Sequence, residues 1–446
     1  MVKPTLESLP TELLILILLE IPDRASLKSI VISSPQCHRA YLGARRQLLL
    51  GLIQRQNKDG LLDLSEAIAA VRAKGLWLAH KKEEAIALLD TWRRRKEISE
   101  LGLTHAKSLD QPADLDETVS LLHLLEKLYF FLEDFPTSAT QPSWINSTEW
   151  GTKLPIRLSK VEKRRFLRAL CRLQLHANIF GTPEKSIDLG YPCDHNQWLG
   201  PPEDESHEEA YRLLYGVIPI WEYEEMGCVW KYLMGKFESI TREISHDLCQ
   251  LAGGNPHILF SQILPEDERP EGGVINCLDD SDIFPDYLNA FTSIGPDFLY
   301  RALHTSRQRR RKMMTKNMDI SAISFIGWYT GVYLEEWRPF HEPADPYGIQ
   351  NFEAFWSTLP QIEQPNLGWR KIWLLPHTSE DSLLEALNPN RNPEIDWIWG
   401  YALWDGKRLK EWKAPILEGA RPGYQAVPAP LLLLPAPYYE TYHEPS

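Results

Sequence analysis

The sequence predicts a mainly α protein: three short helices at the N-terminus, then a mostly helical body whose tryptophan-rich C-terminal part is open to an α or an α+β arrangement. Three observations predict it. Prolines and capping residues punctuate short helical segments from Pro10 to Leu42. Apolar residues recur at helical spacing between Asp114 and Phe135, and nine of the sixteen tryptophans lie between Trp328 and Trp412.

The first segment is LESLPTELLILILLEIP, residues 6 to 22, in which every side chain from Leu13 to Leu19 is apolar. A helix built from them is greasy on all sides, which a surface helix is not. Pro10 has the fixed φ suited to a first turn, Glu12 sits at the positive end of the dipole, and Pro22 stops the helix at Ile21, so it should span Pro10 to Glu20. Asp23 or Ser26 can cap a second helix carrying Leu27, Ile30 and Val31. Ser34 and Pro35 open a third carrying Cys37, Tyr41 and Leu42. Units below roughly 40 residues cannot bury enough surface alone, and no metal or disulfide staple is visible. The expectation is that one side of the first helix faces its sister helices and the other a second protein. An ordinary buried helical hairpin is the alternative.

Downstream, Asp63 and Glu66 read as a capping box opening a helix through Ala73, and Lys82 to Ile98 reads as another, ending in the basic run at 93–96. Asp114 to Phe135, with Leu115, Val119, Leu122, Leu125, Leu128 and Leu132 in register, reads as a central core helix. A loop is expected from Pro136 to Pro155, and in it Asn146-Ser147-Thr148 matches the glycosylation sequon by chance. Ser159 with Glu162 caps a helix ending near Gly181. Residues 200–205 read as a linker, and a helical block opened by Ser206 and Glu209 continues to about Leu251. Ile323 to Leu334 fits a strand or a buried helix equally well. The expected organisation is 1–48, a three-helix unit; 49–198, helical; 199–420, helical to mixed and tryptophan-rich, packed with the preceding region; and 421–446, an irregular proline-rich tail.

The net charge of −13 argues against nucleic acid as a partner, since phosphate neutralisation needs a basic surface. Cys37, Cys171, Cys193, Cys228, Cys249 and Cys277 are widely spaced, with no CxxC pair, which fits a reduced compartment, cytoplasm or nucleus. Acidic residues bracket the first apolar run, no cleavage site comes after it, and its seven residues fall far below the roughly 20 of a membrane span, so neither a signal peptide nor a membrane partner is expected. GxSxG, HExxH, GxGxxG and P-loop signatures are absent, and no enzyme activity, catalytic residue, cofactor or metal is expected. Cys193-Asp194-His195 reads as incidental loop polarity, because neighbours in sequence seldom point at one metal.

Arg164, Arg168 and Arg172 recur at i, i+4, i+8 and read as a solvated face, the alternative being a row that holds phosphate or an acidic peptide. The cluster Arg307-x-Arg309-Arg310-Arg311-Lys312 reads as a charged loop, with a nuclear import signal as the alternative. The tryptophans read as core, the sharper alternative being a substrate pocket lined by some of Trp328, Trp337, Trp356, Trp373, Trp397, Trp399 and Trp404.

The N-terminal residues Leu9-Pro10-x-Glu12-Leu13-Leu14-x-x-Ile17-Leu18, with Ile21-Pro22 after them, resemble the F-box, the module by which substrate receptors dock on the Skp-type adaptor of SCF ubiquitin ligases. The resemblance implies that Leu9, Pro10, Leu13, Leu14, Ile17 and Leu18 meet the adaptor or support that surface, with Ile21, Pro22, Leu27 and Ile30 completing the unit. Ser34-Pro35-Gln36-Cys37 stands where many F-boxes carry Cys-Arg-x-Trp, leaving Tyr41 as the nearest aromatic. Ser33-Ser34-Pro35-x-x-His38-Arg39-Ala40-Tyr41 and Gly400-Tyr401-Ala402-Leu403-Trp404-Asp405-x-x-Arg408-Leu409 look like segments of F-box proteins of filamentous fungi. The same resemblance implies a non-enzymatic substrate receptor, bound through the adaptor to a cullin and presenting an unknown protein substrate. The runner-up is an F-box-like scaffold acting outside the ligase.

Overall fold

The computed structural model describes residues 9–95, 109–184, 213–215, 218–251, 253, 264–268, 284–317, 357, 359–374 and 396–418. These residues are mostly helical, and no strand occurs among them. The segment Ile323 to Leu334, Cys193-Asp194-His195, the expected linker at 200–205, the opening Ser206 and Glu209 of the next block, and the tail at 421–446 lie outside the described residues.

Three helices open the chain: α1 (Thr11–Leu19), α2 (Arg24–Ser33) and α3 (Pro35–Gln56). Their starts obey local rules. Pro10 stands at the α1 N-cap, the Asp23 carboxylate accepts from the Ser26 N–H at 2.8 Å, and the Ser34 hydroxyl accepts from the Cys37 N–H at 3.4 Å. The end of α1 is closed from a distance, because the Arg55 guanidinium donates to the carbonyls of Leu19 and Ile21, where a cation meets the negative end of the dipole. The boundary expected at residue 48 falls inside α3. That helix bends where Ala44 leaves helical geometry (φ −125°, ψ 20°), and its second half buries Leu48, Leu49, Leu52 and Ile53.

The next helices are α4 (Leu64–Arg72), α5 (Leu78–Arg93), α6 (Leu115–Ser138), α7 (Ser147–Lys153) and α8 (Lys160–Ile179). Asp114 caps α6, which buries Leu122, Leu125, Leu128 and Leu132 from the expected stripe and adds Phe131 and Phe135. Helix α6 runs through Pro136, so the loop expected from 136 to 155 is shorter than its composition suggested, and α7 lies inside it. Asn146 of the sequon is the cap of α7, its side chain accepting from the Glu149 N–H at 2.9 Å. The box at Ser159 and Glu162 forms at the start of α8 as its spacing requires. The box expected at Asp63 and Glu66 does not: Asp63 caps α4 alone, and the Glu66 carboxylate turns inward.

Helix α8 is the axle of the body. It packs against α4, α6 and the long α9 (Ile220–Leu251), and also against α10 (Phe284–Ile294) and α11 (Pro296–Leu303). Residues on every side of α8 are buried, Phe166, Leu170 and Leu173 on one side, Arg165 and Arg172 on another. Glycines let two elements approach: a Cβ on Gly227 of α9 would stand 2.0 Å from the Trp397 ring.

Helix α12 (Arg307–Lys316) contains the basic cluster expected as a loop. Three of its four arginines are anchored by carboxylates: Arg307 to Asp247 at 2.9 Å, Arg310 to Glu243 at 2.7 Å and Arg311 to Glu268 at 2.9 Å. Helices α13 (Leu367–Trp373) and α14 (Gly406–Glu411) complete the described body. Trp373, Trp397, Trp399 and Trp404 are all buried, so these four belong to the core rather than to an open pocket, while Trp328, Trp337 and Trp356 lie outside the described residues.

Candidate partner-docking surface and a buried ion network

Helix α1 divides its apolar side chains between two environments. Leu14 and Leu18, four residues apart, are each 2 % exposed and pack toward α3, where a Cβ on Gly51 would lie 3.2 Å from Leu19. Leu13, Leu16 and Ile17, at i, i+3, i+4 on the other side, are 46, 57 and 40 % exposed. Pro10 and Pro22 are also exposed, Ile21 and Leu27 are buried, and Leu9 and Ile30 are half-buried. Tyr41 is half-buried too, its hydroxyl accepting from the Arg45 Nε–H at 3.1 Å. Leu14, Leu18, Ile21 and Leu27 therefore support the unit from inside, and Pro10, Leu13, Ile17 and Pro22 face outward.

Reading the motif missed three outward side chains: Leu16, Ile32 and Leu42. The signal for Leu16 was present, since it completes the helical triplet with Leu13 and Ile17. Of seven large hydrophobic side chains exposed among the described residues, five (Leu13, Leu16, Ile17, Ile32 and Leu42) lie in α1 to α3. Single exposed leucines are ordinary on a protein surface, whereas such a concentration in one small unit makes it the candidate contact surface.

Two of the three arginines in the α8 row, Arg168 and Arg172, lie inside the protein, contrary to the solvated face expected of the row, and Arg164 is half-buried. Arg168 holds Glu225 bidentately, through Nε at 3.0 Å and Nη2 at 2.7 to 2.8 Å, and donates through Nη1 to Glu222 at 2.5 Å. Arg172 donates to Glu222 at 2.6 Å and to Glu66 at 2.7 Å, and Arg95 reaches Glu66 at 2.7 Å. Glu222 and Glu225 are i, i+3 neighbours in the first turns of α9, so one carboxylate edge meets one guanidinium edge. At the start of α8 Arg408 grips Glu162 through two bonds of 2.6 Å, and Arg165 reaches Asp405 at 3.2 Å. The Gly400–Leu409 segment thus clamps the N-terminus of α8.

Burial, reinforced by the Glu222 charge, raises the Glu225 carboxyl to about 7 against the pull of Arg168 and Arg165. A carboxyl raised in this way takes up a proton on folding. Its contribution to stability is full below about 4.5 and is lost as pH rises through about 7. Urea midpoints measured from pH 5 to pH 8 should therefore fall for the natural chain relative to Glu225→Gln. An unchanged slope in the variant would place the titration elsewhere.

Among the described residues no group of three His, Cys, Asp or Glu side chains is placed to hold a metal, and no helix is long and apolar enough to cross a membrane. Comparison with family models, with curated proteins and with solved structures gives no match, so the reading of function rests on the residues themselves.

Proposed function

We propose that this protein is the substrate-receptor subunit of an SCF-type ubiquitin ligase, docking through α1 to α3 on a Skp-type adaptor and presenting a protein substrate held by the helical body. The observation that carries the reading is the outward apolar face of α1, Leu13, Leu16 and Ile17, backed by the buried Leu14 and Leu18 of an F-box-like motif. A receptor of this kind works by proximity. Holding a substrate lysine beside a charged conjugating enzyme raises its effective concentration without a chemical step of its own.

The test is adaptor capture by the full chain and by Leu16→Asp/Ile17→Asp. Both side chains are exposed, so the variant should keep its helical circular dichroism and melting temperature. Burying a leucine-sized side chain contributes about 1.5–3 kcal/mol, so losing two and adding charge should weaken capture by a hundredfold or more. Leu14 is the wrong probe, since an aspartate at this buried site would break the three-helix unit itself. Equal capture by both chains, or capture by neither, removes the proposal. Ubiquitination of a captured partner in a reconstituted ligase separates a receptor from a scaffold.

A further inference from the structure

A cavity of 310 Å³ opens beside the ion network, where α4, α5, α8 and the start of α9 meet the turn at 359–363. Its size lies at the low end of small-molecule sites, about 300 to 1,000 Å³. One wall is apolar and aromatic, formed by Leu61, Trp92, Ile218, Pro219 and Trp221. The other is charged, with five arginines facing four carboxylates.

The pairing of those charges is uneven. Asp63 and Glu66 are held by Arg95, Glu66 and Glu222 by Arg172, and Glu222 also by Arg168. Arg93 reaches Asp90 at 3.0 Å. The remaining guanidinium, Arg164, is half-buried and makes no hydrogen bond or ion pair among the described residues. A second donor is also unused: Trp92 is 1 % exposed and its indole N–H has no acceptor among the described residues. A buried donor without an acceptor is costly, and a planar cation beside an aromatic wall is the usual arrangement for gripping an oxyanion with an apolar body.

We infer that this cavity binds a small organic oxyanion, a phosphate ester or carboxylate with an aromatic or apolar body, whose charged group is held by Arg164 and whose body lies against the wall of Trp221. The site is independent of the N-terminal docking surface. Arg95, Arg168 and Arg172 cannot turn to the ligand without abandoning the buried Glu66 and Glu222, and Arg93 is engaged by Asp90, which makes Arg164 the residue that discriminates.

Isothermal titration and thermal melting of the full chain test this, with phenyl phosphate, benzoate and inorganic phosphate as probes and sodium chloride at matched ionic strength as the control. Phenyl phosphate or benzoate should bind at millimolar concentration or tighter and raise the melting temperature, and inorganic phosphate should bind more weakly. Arg164→Gln should weaken binding by about tenfold or more, the contribution expected of a charge-assisted bond, with Arg164→Lys in between. The variant should fold normally because Arg164 holds no partner among the described residues. Arg39→Gln, exposed on α3, should bind as the natural chain does. N-acetyl phosphotyrosine amide distinguishes the ligand's source: binding tighter than phenyl phosphate assigns the group to a polypeptide side chain, weaker binding to a free small molecule. The inference is overturned if neither organic probe binds, or if Arg164→Gln binds them undiminished.

Discussion

Replacing Arg172 with leucine is expected to destabilise the protein by about 3–5 kcal/mol, the usual cost of removing one partner from a buried ion pair. The guanidinium joins Glu66 of α4 to Glu222 of α9, with 5 % of its side-chain surface exposed, and lies over the Trp92 ring at 5.7 Å. Burial opposes its charge, yet Glu66 and Glu222 outweigh burial and raise its pKa above the ordinary arginine value. Without it, Glu66 keeps Arg95 and Glu222 keeps Arg168, so the loss should sit nearer the lower figure. The cost has a pH signature. Two buried carboxylates deprived of a cation hold protons more tightly when folded than unfolded, so the variant should recover stability as pH falls from 7 toward 5. Arg172→Leu/Glu66→Leu should recover part of the loss at neutral pH, since replacing both partners with apolar groups leaves no orphaned charge. Urea unfolding of the three chains at two pH values measures all of this. A difference below about 1 kcal/mol would mean that the network behaves like surface charge.

The destination of that arginine was not written in its neighbourhood. The caps at Asp23, Ser34 and Ser159 were legible because a cap is a contact between residues two or three apart, decided before anything else packs. The core stripe of α6 was legible for a related reason, since one face of that helix is apolar at every turn. The row in α8 misled because the amphipathic argument assumes that a charged face meets water. Here the water is replaced by Glu222 and Glu225, 54 and 57 residues from Arg168, and by Glu66, 106 residues from Arg172. Glu66 shows the competition directly, because a local box and two distant guanidiniums claimed the same carboxylate and the guanidiniums prevailed. In α1 the sequence marked an all-round apolar helix, but which leucines stay outside depended on how α3 packs beneath it. The outward position of Leu16 can be deduced from helical spacing only once Leu14 and Leu18 are known to point inward.

Trp404→Ala is expected to cost about 3–5 kcal/mol, the range for emptying an aromatic site in a packed core. The indole stacks on Phe135 of α6, with centroids 5.4 Å apart at 17°, and meets Trp412 edge-on at 5.1 Å. Its N–H donates to the Trp399 carbonyl at 2.7 Å, and the Arg408 guanidinium lies over its face at 5.5 Å. The chain must turn sharply to place it there: Gly400 has φ +76°, and a Cβ at that position would come within 3.3 Å of the indole nitrogen. Loss of the ring therefore opens a cavity and also loosens the segment that brings Asp405 and Arg408 to Ser159 and Glu162 at the head of α8. Trp404→Phe should cost less, because a smaller ring keeps the stack on Phe135 while the Trp399 carbonyl loses its donor. The two variants separate packing from function. Below its melting temperature Trp404→Ala should still capture the adaptor, since Leu13, Leu16 and Ile17 belong to a different part of the fold. Loss of capture at full helicity would instead tie the Gly400–Leu409 segment to the docking surface.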